Sequence, residues 1–188
     1  MAKVTLNPIL EAIQGKVGDM VFKRFGDEEI VAKMPNRTGI VATPNQLAQQ
    51  ERFRLASLYG RSVLADEQSR ALYEHVAARK GVPVFALTIG DFLNSPAIDE
   101  IDLSSYTGKP AEVIRIRASD DVEVKGVTVT IRDQNGLLIE EGVAAWATAT
   151  ASWTYTTTGT VTAGLGVAIE VSATDRPGHK TTKTHTRA

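Results

Sequence analysis

The periodicity of the sequence changes at Ser95-Pro96. Residues before this point carry apolar side chains at helical spacing between good helix caps, whereas residues after it alternate and are rich in valine and threonine. Since a helix and a strand need different periods, each half of the chain takes its own class of structure. We therefore expect an α+β chain, with residues 1–95 forming a β-hairpin plus helices and residues 96–188 forming an antiparallel β-sandwich.

Two short apolar runs near the N-terminus predict the hairpin. Residues 20–25 and 30–34 flank Gly26-Asp27-Glu28-Glu29, a connection of hairpin length that contains glycine. The sequence upstream contains two further glycines, Gly15 and Gly18, which are typical of tight turns. We expect the two runs to pair as antiparallel strands.

Capping signals predict the helices of the first region. Thr43-Pro44-Asn45-Gln46 combines a capping box with proline at the first helical position, which predicts a helix over residues 44–64. Asp66 caps a second predicted helix, and Gly81 follows that helix at the position where a left-handed residue ends it. Residues 83–93 form a short apolar run that fits a helix or a buried strand, and we favour the helix.

The second region predicts a series of short strands. Gln134-Asn135-Gly136 is the clearest hairpin turn, because Asn-Gly accepts the positive φ angles of a type I′ turn. The acidic group Asp99, Glu100 and Asp102 is interpreted as a solvated linker, and residues 180–186 as a mobile end or an exchanged arm. The predicted strands are residues 111–118, 122–132, 137–141, 144–158 and 166–174.

The threonine-rich part of residues 144–158 allows two interpretations. A long edge strand would leave backbone groups unpaired and would favour pairing between subunits, whereas a paired strand would place its threonines on the solvent side. Trp146, Trp153 and Tyr155 supply the bulky side chains of this segment. Trp153 and Tyr155 share a side while Trp146 lies at odd spacing from both, so either one tryptophan is exposed or a bulge separates them.

Composition excludes several classes of function. The chain has no cysteine, which excludes disulfides, thiolate nucleophiles and thiolate metal sites. Its net charge of -1 provides no general field that would attract nucleic acid or an anionic membrane. We also see no signal peptide and no membrane span. We expect a protein that is made soluble in the cytoplasm and that ends in a virion or extracellular assembly.

The residues that could carry chemistry are scattered. His75, His179 and His185 lack the short spacing of a metal or catalytic site, so we interpret them as ordinary polar positions. Loop aspartates could converge on calcium, but turn chemistry explains each of them equally well. We therefore expect no catalytic residue, no cofactor and no metal, and we do not expect an enzyme. The loop aspartates are Asp120, Asp121, Asp133 and Asp175.

Basic residues around the hairpin suggest a nucleic-acid surface as a lesser alternative. Lys23, Arg24, Lys33 and Arg37 are interleaved with aromatic residues, as in surfaces that bind phosphate backbones and bases. Alternation puts Arg24 and Lys23 on opposite sides of the strand, which divides the charge. We therefore expect a solvated or partner-facing hairpin. Gly15-x-x-Gly18 lacks the lysine and hydroxyl of a phosphate-binding loop.

Two resemblances add to this interpretation. Gly15-x-x-Gly18-x-x-Val21-Phe22, Pro35 and the helix start at Thr43-Pro44-Asn45-Gln46 resemble a family of small uncharacterised proteins of phages, prophages and bacterial genomes. That family often reads Asn-Pro-Arg-Thr where this chain has Ala42-Thr43-Pro44-Asn45. The segment from Ser119 to Ile131 and Ala173-Thr174-Asp175-Arg176-Pro177-Gly178 are similar to bacterial immunoglobulin-like modules. Together they imply a virion-associated or otherwise assembled structural protein with an immunoglobulin-like β-sandwich.

We expect a structural subunit of a phage particle, a phage-like assembly or a surface assembly. It would act as a homo-oligomer, or by docking on a partner lattice in a larger protein assembly. The alternative is a monomeric immunoglobulin-like binding or adhesin module for glycan or protein. Contacts with subunits or partners are predicted at Val21, Phe22, Phe25, Ile30, Trp146 and Trp153.

Overall fold

A computed structural model describes residues 2–3, 15–25, 28–36, 39, 41–162 and 165–187. The chain divides into two compact units, Met1–Pro44 and Asn45–Ala188. Ser95-Pro96 lies inside the second unit, between its last helix and its first strand. The described residues form three helices and three four-stranded antiparallel sheets, which confirms the α+β class.

The first unit contains one of these sheets. Its strands are β1 (Ala2–Lys3), β2 (Gly15–Val17), β3 (Met20–Phe25) and β4 (Glu28–Lys33), in the order β1-β4-β3-β2. The predicted hairpin is confirmed as β3 and β4, although β4 already begins at Glu28, inside the predicted connection. Gly18, with a φ of 58°, takes the left-handed conformation in the turn between β2 and β3.

Three helices open the second unit, the first two where the capping signals predict them. They are α1 (Pro44–Ala65), α2 (Glu67–Lys80) and α3 (Val84–Leu93). The carboxylate of Asp66 accepts the backbone N–H of Ser69 at 2.8 Å, and Gly81 ends α2 with a φ of 66°. The apolar run at 83–93 is therefore a helix. The helices bury a small apolar cluster of Val63, Tyr73, Val76, Ala77 and Leu87.

Eight strands follow the helices and form two sheets. One sheet has the order β5-β6-β10-β9 and the other the order β12-β11-β7-β8. The strands are β5 (Ala97–Asp102), β6 (Val113–Ser119), β7 (Val124–Asp133), β8 (Leu138–Val143), β9 (Ala145–Ala147), β10 (Ser152–Thr156), β11 (Val167–Asp175) and β12 (Lys180–Arg187).

Side chains from both sheets enter one buried cluster. Every second residue is buried along β11 and, in β7, from Val127 to Ile131, which is the period of a strand with one side on a core. Valine and isoleucine dominate these positions because branched side chains pack well on a pleated surface. The cluster includes Ile114, Ile116 and Tyr155 from one sheet and Val127, Val129, Ile131, Val167, Ile169 and Val171 from the other.

The single strand predicted over 144–158 is wrong. The segment forms β9, a turn and β10, which pair with each other as a hairpin. The hydroxyl of Thr150 contacts the Ser152 hydroxyl at 2.7 Å, and Ala151 has a φ of 47°. Threonine therefore closes a turn here instead of extending an edge, and the edge strand β9 is only three residues long.

The acidic linker and the mobile C-terminal arm are also wrong. The acidic residues belong to β5, where Glu100 and Asp102 lie 3.4 and 3.7 Å from Arg117 and Arg115 on β6. The C-terminal residues form β12, which pairs with β11 along its whole length. Both strands carry charge or threonine toward solvent, so their composition resembled that of loops, and only the pairing of the backbone distinguishes them.

The helices contact the sheets around the β6–β7 connection. Val122 packs against the apolar cluster of the helices. The carboxylate of Asp121 accepts the side-chain amide of Asn94 at 2.7 Å and lies 3.4 Å from the ammonium of Lys80. Helices and sheets are therefore joined by both apolar and polar contacts within one unit.

Candidate binding surfaces

Two tryptophans lie opposite each other at the end of one sheet. Trp146 on β9 is paired in register with Trp153 on β10, and their ring centroids are 5.5 Å apart in an edge-to-face arrangement. Trp153 is half-buried against the core, whereas Trp146 is 51% exposed. Their odd spacing in sequence disappears because the chain turns between them. The sequence allowed either an exposed tryptophan or a bulge between the two. The structure has a hairpin turn between them, and the exposed tryptophan is Trp146.

A groove of about 460 Å³ opens beside the two rings. Its other walls come from the end of β6, the β6–β7 connection and the start of β7. These walls are mixed in character, because a hydroxyl, two carboxylates and an ammonium lie among apolar side chains. The polar residues are Ser119, Asp120, Glu123 and Lys125.

The connection that carries two of these groups is held in place by hydrogen bonds. One oxygen of Asp120 accepts the backbone N–H groups of Val122 and Glu123, at 3.3 and 3.2 Å. Glu123 in turn accepts the guanidinium of Arg176 at 2.9 Å. The groove wall is therefore preorganised by hydrogen bonds within the β6–β7 connection and by one bond to the turn that follows β11.

A buried carboxyl group lies behind this connection. Asp91 of α3 is fully buried and accepts a hydrogen bond from the hydroxyl of Tyr73, which lies 2.7 Å from the Tyr59 hydroxyl. The pKa of Asp91 is raised to about 7, chiefly by burial. The hydrogen bond from Tyr73 lowers this pKa, and the nearby carboxyl groups of Asp120 and Asp175 contribute to raising it. Asp91 was not singled out in the sequence. Its one signal was an acidic residue at helical spacing from Leu87 inside an apolar run.

The turn after β11 contains the most closely associated histidine and aspartate. Asp175 is fully buried and accepts backbone N–H groups of Gly178 and His179 at 2.7 and 2.6 Å. The His179 ring lies 3.1 Å from the same carboxylate and packs edge-on against Phe92. These bonds show that the carboxylate of Asp175 stabilises the turn that follows β11.

The loop aspartates do not converge as a group. Asp120, Asp121 and Asp175 lie at the end of the sheets nearest the helices, whereas Asp133 lies at the other end of β7. There it accepts the backbone N–H groups of Asn135 and Leu137, both at 2.8 Å. In the part of the chain that the structure describes, no three acidic or histidine side chains are arranged to hold a metal ion.

The three histidines lie on separate elements. His75 is exposed on α2, His179 follows β11, and His185 lies on β12 opposite Ile169.

Pairing distributes the apolar residues of the first unit's sheet over both of its sides. Pairing in register puts Phe22 beside Val31, and Met20 beside Val17, on one side. Both Val17 and Met20 are about half exposed, at 55% and 49%. We call this side, made of Val17, Met20, Phe22 and Val31, the apolar side. Among the predicted contact residues, Phe22 belongs to it, whereas Val21 and Ile30 lie on the opposite side.

The basic residues of this sheet are divided between the two sides. Lys23 lies opposite Ile30, and Lys33 lies opposite Met20 on the apolar side. Arg24 and Phe25 lie on β3, but their side chains are outside the described part of the chain, as is Arg37 altogether. Lys23 and Lys33 therefore lie on different sides of the sheet.

Comparison with protein-family models, with curated proteins and with solved structures found no match for this chain. Within the described ranges, no helix has both the length and the apolar character needed to cross a membrane.

Proposed function

We propose that this chain is a non-enzymatic structural subunit of a phage particle, a phage-like assembly or a surface assembly. It associates through the apolar side of its N-terminal sheet, with copies of itself or with a partner lattice. The observation that carries this proposal is that none of the described side chains of this sheet is buried.

A small sheet of this kind needs a covering surface. Its two inner strands have six residues each, and small sheets are stable only when an apolar side packs against something. The apolar side offers two half-exposed aliphatic side chains, Val17 and Met20, around the half-buried Phe22 and Val31. Contiguous exposed apolar residues on a folded protein mark a site of association.

Helix α1 adds a second surface of the same kind. Leu47, Leu55 and Leu58 share one side of the helix and are between 41% and 54% exposed, whereas Phe53, also about half exposed, lies on another side. A helix that leaves such side chains in water is typical of proteins that bury them against a partner. This surface supports an assembled state independently of the sheet.

We further propose that the two sheets of the second unit form an immunoglobulin-like sandwich. Lettered in chain order, β5-β6-β10-β9 corresponds to strands A-B-E-D and β12-β11-β7-β8 to G-F-C-C′, which is the arrangement of that fold. The chain has no cysteine, and buried positions of its central strands are aliphatic, such as Val129 on β7 and Val171 on β11. Such modules are common in surface-exposed assemblies, which supports the proposed role.

The proposal is tested by measuring oligomeric state. Light scattering behind size exclusion, over a concentration series of untagged protein, should show a mass that rises with concentration, and negative-stain microscopy should show discrete oligomers, rings or fibres. The Val17→Glu variant should shift the protein toward monomer, because a carboxylate on the apolar side opposes its burial.

Lys16→Glu provides the matched control. Lys16 is the exposed neighbour of Val17 on the opposite side of the same strand, so this variant should keep the wild-type mass. A wild-type monomer at every concentration would contradict self-association. Equal effects of the two variants would contradict the assignment to the apolar side.

A further inference from the structure

The ring of Trp146 is half exposed, and β9, which carries it, is the last strand of its sheet. The Trp146 ring contacts Trp153 at an angle of 66° between the ring planes, so the two indoles form an angled apolar wall. The exposed part of the Trp146 ring is the part of this wall on which a ligand can stack.

The polar groups around this wall include hydrogen-bond donors and acceptors, and both positive and negative charges. The carboxylates of Asp120 and Glu123 accept hydrogen bonds, the Lys125 ammonium donates them, and the Ser119 hydroxyl does both. A polyanion would meet two carboxylates against one ammonium, which opposes its binding. A purely apolar ligand would remove water from these polar groups without offering them a hydrogen bond.

The volume of the groove also restricts the ligand. About 460 Å³ lies within the range of roughly 300 to 1,000 Å³ that small-molecule sites occupy. A protein partner would instead need a contact of about 800 Å² on each side. The groove thus fits a compact ligand with one flat apolar side and several hydroxyl groups around it.

We infer that this groove binds a saccharide, with one pyranose ring stacked on Trp146 and its hydroxyl groups bonded to Asp120, Glu123 and Lys125. A pyranose carries C–H groups on its flat side and hydroxyls at its edge, which matches the apolar wall and the polar rim. The inference does not rest on the proposed assembly, since the groove lies in the second unit and the apolar side in the first.

Tryptophan fluorescence and calorimetry test the inference. The wild-type protein is titrated with unbranched oligosaccharides of glucose and of N-acetylglucosamine at up to millimolar concentration. At least one should change the indole emission and bind measurably. Trp146→Ala should weaken that binding by about tenfold or more, because the stacking surface is lost.

Leu137→Ala is the matched control. Leu137 is a large apolar side chain that is 70% exposed in the β7–β8 turn, at the opposite end of β7 from the groove. This variant should keep the wild-type affinity. Thermal unfolding of both variants confirms that they are folded, and Trp146→Phe should restore part of the affinity.

Three results would overturn the inference. These are the absence of binding by every oligosaccharide tested, equal affinity of the wild-type and Trp146→Ala proteins, and binding of tetramethylammonium in place of any saccharide. The last would show that the indole attracts a cation through its π face.

Discussion

Tyr73 donates a hydrogen bond to Asp91, and solvent reaches neither side chain. The bond links α2 to α3. The other oxygen of Asp91, Oδ1, has no hydrogen-bond partner among the described residues, and the nearby carboxyl group of Asp120 helps to raise the pKa of Asp91. Burial of a carboxyl group with one unpartnered oxygen favours its neutral, protonated form over the carboxylate.

Stability should therefore fall as pH rises through neutrality. Burial raises the pKa of Asp91 to about 7, whereas its ordinary value in an unfolded chain is near 3.9. Its protonated form is thus favoured by folding. This contribution is complete below about pH 4 and is lost as pH rises through about 7. Asp91→Asn keeps a neutral group there and should remove that part of the pH dependence.

Urea unfolding at several pH values measures this effect. At about pH 8 the Asp91→Asn protein should be more stable than wild type, by about 2 kcal/mol, because no buried carboxylate remains. Glu170→Gln, which changes an exposed carboxylate on β11, should leave the wild-type pH profile intact. If Asp91→Asn had the same dependence of unfolding free energy on pH as wild type, ionisation of the Asp91 carboxyl group would not destabilise the fold, which would contradict the prediction.

Gly60→Ala should destabilise the helices by roughly 1 to 3 kcal/mol. A Cβ at Gly60 would lie 2.5 Å from Thr88 Oγ1 and 2.9 Å from a ring carbon of Phe85, so α1 and α3 would have to separate. Gly90→Ala is the control within α3, because its Cβ would meet nothing closer than 3.9 Å. Helix propensity then favours alanine by up to about 1 kcal/mol.

Thermal and urea unfolding distinguish the two glycines. The prediction requires changes of opposite sign, lower stability for Gly60→Ala and equal or higher stability for Gly90→Ala. Two stabilising substitutions would mean that α1 and α3 are not in close contact at Gly60.

The helices could be predicted from the sequence because their signals are local. Asp66 and Gly81 mark the ends of α2 through their own conformations, and both carry out the expected capping. Strands β7 and β11 could also be predicted, because alternation of apolar and polar residues indicates directly which side of a strand is buried. These features need no knowledge of a distant partner.

The features that were missed depend on partners distant in sequence. Asp102 pairs with Arg115 and the C-terminal strand pairs with β11, and neither relationship is visible in a local pattern. The hairpin between Trp146 and Trp153 was missed because its turn is made of threonine and alanine instead of glycine or asparagine. The groove and the Tyr73–Asp91 bond arise only when these elements come together.

Gly81→Ala should lower stability by about 1 kcal/mol for a reason unlike that at Gly60. A Cβ at Gly81 would have no atom within 4 Å, so space is available, but its φ of 66° is costly for any residue with a side chain. Gly81→Asn should lose less, because asparagine tolerates this conformation better. Denaturant unfolding of both variants checks the order, and an equal loss would contradict it.

Glu140→Gln should destabilise the sheets at neutral pH. This carboxylate is 8% exposed, and one of its oxygens, Oε2, accepts the backbone N–H groups of Thr158 and Gly159 at 2.7 and 3.0 Å. It also accepts the hydroxyl of Tyr155. Burial raises the pKa of Glu140, but these bonds lower it more, so the pKa lies below its ordinary value.

A glutamine oxygen is a weaker acceptor for three or four donors, and the variant should lose roughly 1 to 3 kcal/mol at about pH 7. Since the folded pKa is depressed, the carboxylate stabilises the protein above the unfolded pKa near 4.3, and this contribution is lost as pH falls through the folded value. The difference between wild type and variant should therefore narrow under acid. Glu141→Gln, at the exposed neighbouring position, should match wild type throughout. A deficit that is constant with pH would mean that shape, and not charge, makes Glu140 necessary.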